Sequence, residues 1–295
     1  VGAGVTTNWG RWGEADERGA LNLLTPDGVL GALRACRTGK VYSLALPVQA
    51  TEGLTGGYRG HPQRLSLGSW TDTERYASFG CPPGVGSNED MLMFASHSVT
   101  HMDALSHVFS DGLMYNGFPA DEFTTERGAR HLDVAQTASF AGRGVLLDLP
   151  RHQGVARLDP GQMIDAAQLE DCRASQGVEM HTGDILLVRT GWLGARTDGA
   201  TDLAQPGLCR DAVAFVDEHD VAVVGADNSA IECMPFDGTF MSVHVELVVQ
   251  RGLTLLEHLV LDALAADGCH ECLVVVGGLK ITGGAGSPIN PIAIG

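Results

Sequence analysis

Ser96-His97-Ser98-Val99-Thr100-His101-Met102-Asp103-Ala104-Leu105-Ser106-His107 places three histidines and an aspartate within a few turns of chain, in a protein with only 11 histidines among 295 residues. Imidazole and carboxylate are the side chains that bind borderline divalent cations at neutral pH, one through a neutral nitrogen and the other through a charged oxygen. A lone histidine is more often a structural or surface residue. Four ligand-type side chains this close together point instead to a metal site. Positions 97, 101, 103 and 107 share parity, so an extended backbone turns all four to one face. A straight strand would spread them over roughly 33 Å at ~3.3 Å per residue, too far for one coordination sphere. A helix fails differently, because at about 100° per residue Asp103 falls off the face shared by His97 and His101. The stretch is therefore expected to bend: His101 and Asp103 are strand neighbours, and the chain turns on either side of them.

The rest of the chain has the composition of an α/β enzyme. Its apolar content of 44% with 39 glycines suits a buried, loop-rich globular protein, and at 295 residues it can form one large domain. The net charge of −17 disfavours nucleic acid and anionic membrane surfaces, and no run of 18 apolar residues is present. Seven scattered cysteines are an odd set that reads as free thiols in a reducing, cytoplasmic compartment. Cys269-His270-Glu271-Cys272 lacks the second ligand pair of a zinc site and precedes an apolar run, so a structural role is expected. The chain opens on Val1 rather than Met, the pattern left when an upstream segment has been removed.

Along the chain, Thr25-Pro26 signals a short helix, with threonine as cap and proline in the first turn. Val41–Pro47 reads as a strand, and residues 51–90 as a long irregular segment of the kind that is often functional. Trp70, Tyr76 and Phe79 lie in that segment as candidate walls for a planar aromatic substrate. Trp9, Arg11 and Trp12 are expected to pin the N-terminal arm. Strands over 144–149, 184–189 and 221–226 alternate with helices over 164–175 and 211–219, which predicts a sheet with a substantial parallel portion. Asp227 ends the last of these strands, where turn-making is the commoner role. Residues 242–252 have helical character and stop at Gly252, and a strand begins at Leu253. Glu257 in that apolar run is conspicuous, since a buried carboxylate needs a partner or a metal. Gly283-Gly284-Ala285-Gly286-Ser287 lacks the ending of a phosphate loop, and no Gly-x-Ser-x-Gly nucleophile elbow occurs.

The metal-binding stretch, HSVTHMDALSH, resembles the pattern His-x-Gly-Thr-His-x-Asp-x-Pro-x-His of the cyclase family of metal-dependent hydrolases, which includes bacterial kynurenine formamidase and isatin hydrolase. Val99 stands where the family has glycine and Leu105 where it has proline. The resemblance extends to Asn8–Gly13, Gly19–Pro26, Gly183–Trp192 and the closing Leu279–Ile281, Gly286–Pro288 and Pro291–Ile294, and so covers nearly the whole chain. It implies one domain over 1–295 with the swivelling β/β/α fold, mixed sheets with flanking helices, and a homo-oligomer, dimer or tetramer. His97, His101 and Asp103 are cast as metal ligands, for Mn2+ or Zn2+, and His107 as the acid/base. The resemblance also singles out His244 and Glu257, which in formamidase-like members serve a second metal sharing the aspartate. In isatin-hydrolase-like members one metal suffices. His258 is expected to point elsewhere.

The leading expectation is a hydrolase opening the C–N bond of a cyclic or aryl amide, a small amide or lactam, with a metal that activates water and polarises the carbonyl. A rival keeps the site but takes N-formylkynurenine with two metals. A rival outside catalysis is a metal-containing binding protein, which predicts bound metal and no turnover of any amide.

Overall fold

The computed structural model describes residues 6–48, 59–197 and 204–295. Its frame is a nine-stranded mixed sheet. In chain order the strands of that sheet and of a separate ribbon are β1 (Val41–Ser43), β2 (Gln63–Gly68), β3 (Glu89–Met93), β4 (His101–Asp103), β5 (Ser139–Asp148), β6 (Ile185–Arg189), β7 (Val223–Ala226), β8 (Thr254–Glu257), β9 (Glu271–Gly277), β10 (Gly286–Pro288) and β11 (Ile292–Ile294). The spatial order is β1-β11-β9-β5-β6-β7-β8-β4-β10. The predicted parallel portion is the centre: β5, β6, β7 and β8 run parallel, with Leu146 opposite Leu187 and Val224 opposite Leu255. The flanking strands are antiparallel.

Parallel strands need both faces covered, so their sequences are apolar throughout rather than alternating. Val145, Leu147, Leu186, Val188, Val224 and Leu255 pack into one core, while Leu146, Ile185, Leu187, Val223 and Leu256 pack into a second on the opposite face. Each fully buried Leu or Val of this kind contributes roughly 1.5–3 kcal/mol. The first core is roofed by α3 (Ala166–Gln176) and α4 (Val213–Glu218). Helix α3 begins with a capping box in which Asp165 and Gln168 exchange hydrogen bonds, and it ends at Gly177. The second core receives Leu23 and Leu24, which lead into α1 (Pro26–Ala32), capped as expected by the Thr25 side chain.

One region differs from the sequence reading, and a second, helical as expected, is wound differently. Of the segment 51–90 expected to be irregular, 51–58 lie outside the described residues and 79–88 have no regular structure, but most of the remainder is ordered into regular elements. They form a two-stranded antiparallel ribbon of β2 and β3, with α2 (Thr73–Ser78) between them. The segment before Gly252 starts as an α-helical turn, Ser242–His244, and widens to π-helical winding over Val245–Gln250. Such wide turns are rare and cluster at functional sites. All seven cysteines are free. Trp9 donates its ring N–H to the Val249 carbonyl and Arg11 pairs with Asp220, so both residues pin the N-terminal strap. Among the described residues no helix is long and apolar enough to cross a membrane.

Gly252 ties these parts together. Its φ is +67°, its carbonyl accepts from Ala20 of the N-terminal strap, and a Cβ there would lie 2.5 Å from the ring of buried Tyr115. Gly252→Ala should therefore lower unfolding free energy by about 2–5 kcal/mol, combining left-handed strain with overpacking. Urea unfolding of variant and wild type measures this.

Candidate metal centre

The bend expected in the histidine stretch is present. Strand β4 holds only His101, Met102 and Asp103, with turns before and after it. It lies between β8 and β10, with His101 opposite Glu257 and Asp103 opposite Gly286. This register carries Glu257 to the histidines although more than 150 residues separate them in sequence. His97 and His107 fold back from the two turns and stack, with ring centroids 4.2 Å apart. Gly286 allows that approach: a Cβ at this position would fall 2.4 Å from His97 Nε2. The α-helical turn Ser242–His244 brings in His244 from the other side.

The six side chains singled out by the sequence meet in one cluster. His97 Nε2 lies 3.3 Å from Asp103 Oδ1, and His101 Nε2 lies 3.6 Å from the same oxygen and 3.2 Å from Glu257 Oε2. His244 Nε2 lies 3.3 Å from Glu257 Oε1 and 3.8 Å from Asp103 Oδ2. Two triads have ligand atoms mutually within 4.8 Å: His97, Asp103 and His107, and His101, Asp103 and Glu257. Asp103 belongs to both. His107 thus sits among potential ligands.

Electrostatics inside the cluster are severe. Burial favours the neutral acid in Asp103, but His107, His97 and His101 outweigh it and hold the carboxyl far below its usual range. Burial and Asp103 both push Glu257 up, yet His101 and His244 bring it below the ordinary value. Burial works against charge on His244, but Glu232 and Glu257 raise it to about 10. Burial pushes His107 down to about 4, so its ring is neutral at neutral pH. The cluster is buried: His101, Asp103, His244 and Glu257 are nearly sealed, and only His97 and His107 reach partial exposure.

A divalent cation fits this donor set. His97 Nε2, both Asp103 oxygens and Glu257 Oε1 are buried without a hydrogen-bond partner, although such groups usually find one. Leaving each unpaired costs on the order of 1–3 kcal/mol, more for charged groups, and a shared cation would satisfy them together.

Other singled-out residues fall elsewhere. Trp70 and Phe79 are exposed on the ribbon, and Tyr76 donates its hydroxyl to the Ser87 carbonyl. Asp227 does not cap its own turn but ties two strand ends together, accepting from the Thr190 N–H and hydroxyl and the Gly191 N–H. His258 is not remote as expected. It is fully buried with φ +55°, its ring is 5.6 Å from that of His101 and 6.2 Å from that of Trp192, and burial lowers its pKa to about 4. It buttresses His101 from behind. Arg59, at the base of the ribbon, donates to the His97 carbonyl. Sequence reasoning missed Glu232, which is wholly buried and accepts from His244 Nδ1 at 2.5 Å. A lone glutamate beside Cys233 and Met234 offers no motif. Its only sequence signal was a charge inside an apolar stretch.

Fold and site together define a mixed α/β protein with a buried histidine–carboxylate centre. Residues 42–233 match the family model for cyclases, and the chain belongs to that family. Cyclase-like protein 3 of Oryza sativa subsp. japonica is 26% identical over 271 residues, covering 85% of each chain. A crystal structure of a novel cyclase is 32% identical, with a TM-score of 0.89 over 98% of this chain and all of its own. Isatin hydrolase A from Labrenzia aggregata, bound to benzyl benzoate, shares the fold at 19% identity, with a TM-score of 0.62 over 90% of this chain and 98% of its own.

Because Asp103 is common to both triads, Asp103→Ala should abolish cation binding to the whole cluster. His97→Ala, which strips one triad only, should leave residual binding. Calorimetric titration of metal-free protein with Zn2+ or Mn2+ distinguishes the two.

Proposed function

We propose that the protein is a metal-dependent hydrolase that opens the C–N bond of a cyclic or aryl amide. The observation that carries this reading is the set of buried, unpartnered donors on His97, Asp103 and Glu257 within one histidine-lined cluster. His97, His101 and Asp103 would hold the ion, Mn2+ or Zn2+, since a donor set of imidazole and carboxylate without thiolate suits both. Bound there, a divalent ion supplies Lewis acidity toward a carbonyl oxygen and lowers the pKa of water.

The chain's own groups do the rest. The amide approaches from the side of His97 and His107, the two cluster histidines with partial exposure. His107, neutral at working pH, takes a proton from the attacking water and returns one to the departing nitrogen, leaving carboxylate and amine. His258 and the sealed walls around His101 keep bulk water from the rear of the centre.

A second reading, a two-ion centre acting on an aryl formamide such as N-formylkynurenine, is favoured by a specific feature. Asp103 is shared by two ligand triads, and Glu257 with His244 lies within reach of it. Metal content separates the readings. About one ion per chain in wild type and in Glu257→Gln supports the single-ion amidase, while two falling to one supports the formamidase. His107→Ala should keep the ion held by His97, His101 and Asp103 and lose at least 100-fold in kcat on the substrate turned over. Bound ion with no turnover of any amide would instead support a binding protein.

The proposal takes residues 1–295 as one domain acting in the cytoplasm, and as a homo-oligomer. Support for the oligomer comes from the ribbon. Gln63 pairs with Met93 and Leu65 with Met91 on one face of it, and Leu65, Met91 and Met93 are exposed. A two-stranded ribbon is marginal in water unless such a face is covered. Residues 59–93 carry three basic and four acidic side chains while the chain carries −17, so this near-neutral arm is where two copies meet with least repulsion. A second copy there would also enclose Trp70 and Phe79 as substrate walls. Light scattering should find wild type oligomeric and Leu65→Glu/Met91→Glu monomeric. A monomeric wild type would remove this part of the proposal.

A further inference from the structure

We infer that Glu232 is a positioning residue of the centre: it fixes the ring of His244 so that Nε2, and not Nδ1, is presented to Asp103 and Glu257. The inference rests on the two-ion reading above, in which His244 is a ligand beside Asp103 and Glu257. Glu232 has no solvent exposure. Its Oε1 accepts from the His244 backbone N–H at 3.1 Å and from His244 Nδ1 at 2.5 Å. Its Oε2 accepts from the Val243 N–H at 3.1 Å and the Ser242 hydroxyl at 3.4 Å. Four donors converge on the two oxygens, so the carboxylate is held in one place and one orientation. With Nδ1 in contact with Glu232 Oε1, that ring nitrogen is taken up and Nε2 is the one left to face the cluster. The lone pair or proton of Nε2 is then aimed at Glu257 Oε1, 3.3 Å away, and Asp103 Oδ2, 3.8 Å away.

The surrounding backbone is built to hold this carboxylate in place. Ile231, immediately before it, has φ +58°, a conformation that is an outlier for a β-branched side chain. The Ile231 carbonyl accepts from the Leu208 N–H and from Asn228 Nδ2, and the Glu232 carbonyl accepts from Gln205 Nε2. Met241, at the other end of the loop, has φ +55° just before the turn that carries His244. Strained residues persist only where their surroundings over-determine them, and here they bracket the Glu232–His244 contact. A carboxylate behind a ligating histidine fixes its tautomer and orientation, and its loss typically costs 10–100-fold in metal affinity.

The competing role is purely structural, since Glu232 also satisfies N–H groups that open the helical turn. Glu232→Gln separates the two. Glutamine keeps the size and one acceptor for those N–H groups, but its NH2 can face Nδ1 and turn the proton to Nε2. The expected result is a 10–100-fold weaker Zn2+ affinity at one site by calorimetry. In the Zn2+-loaded variant, imidazole nitrogen NMR shifts should show His244 no longer bound through Nε2, with the metal-free melting temperature little changed. A lowered melting temperature with unchanged affinity and an unchanged His244 spectrum would overturn the inference. If Glu232→Gln does not fold, Glu232→Asp serves: its shorter reach should weaken Zn2+ binding, and full affinity would overturn the inference. Wild type that binds fewer than two divalent ions would instead overturn the two-ion reading on which the inference stands.

Discussion

Two carboxylates, Asp103 and Glu257, are buried a few ångströms apart, and positive charge between them is the condition on which the centre depends. Neither can be ionised in a dry interior without a compensating partner. In the metal-free protein the partners are histidines: His101 touches both carboxylates, and His244 is pushed to about 10 by the acidic groups around it. Those protons stand where a divalent cation would act, so protons and cation would compete for the same groups. Cation affinity therefore rises with pH, because each imidazole must be neutral before it can ligate.

The sheet makes this juxtaposition possible. A three-residue strand has little holding power of its own, but β4 is clamped between β8 and β10. Pairing on both sides fixes which side chains face the cavity, because a one-residue slip would send His101 and Asp103 to the opposite face. Strand β8 is the last of the four parallel strands and is anchored through β7 into the apolar centre. Precision at the metal cluster thus derives from burial of leucines and valines far from it, and the ligands on turns borrow that rigidity.

Much of this was legible in the sequence because its signals are local. Parity and spacing within 97–107 required a bent element, and that bend is present. Apolar runs over β5, β6 and β7 marked strands, and their alternation with helical segments indicated a parallel portion of the sheet. Within the segment 51–90 the ribbon strands are not legible because they are exposed on both faces, so neither an apolar run nor a full alternation marks them. The partner of His244 was not legible either. Glu232 reaches it through a loop with a left-handed Ile231, and no residue-type preference announces such a conformation. His258 was misplaced for the same reason: its positive φ breaks the strand parity that would have turned it away from His101.

The unusual backbone angles are therefore informative as a group. Ile231, Met241 and His258 all have positive φ, and each lies beside a residue that holds or buttresses the histidine–carboxylate cluster. A regular strand or helix would have been more stable at each position, at roughly 1–3 kcal/mol apiece. Regular geometry, however, presents side chains at fixed periods of 2 or 3.6, and no such period can bring residues 97, 101, 103, 107, 244 and 257 to one point. Regular strands deliver His101, Asp103 and Glu257, and the departures from regularity are the means by which the remaining side chains reach them from separate segments.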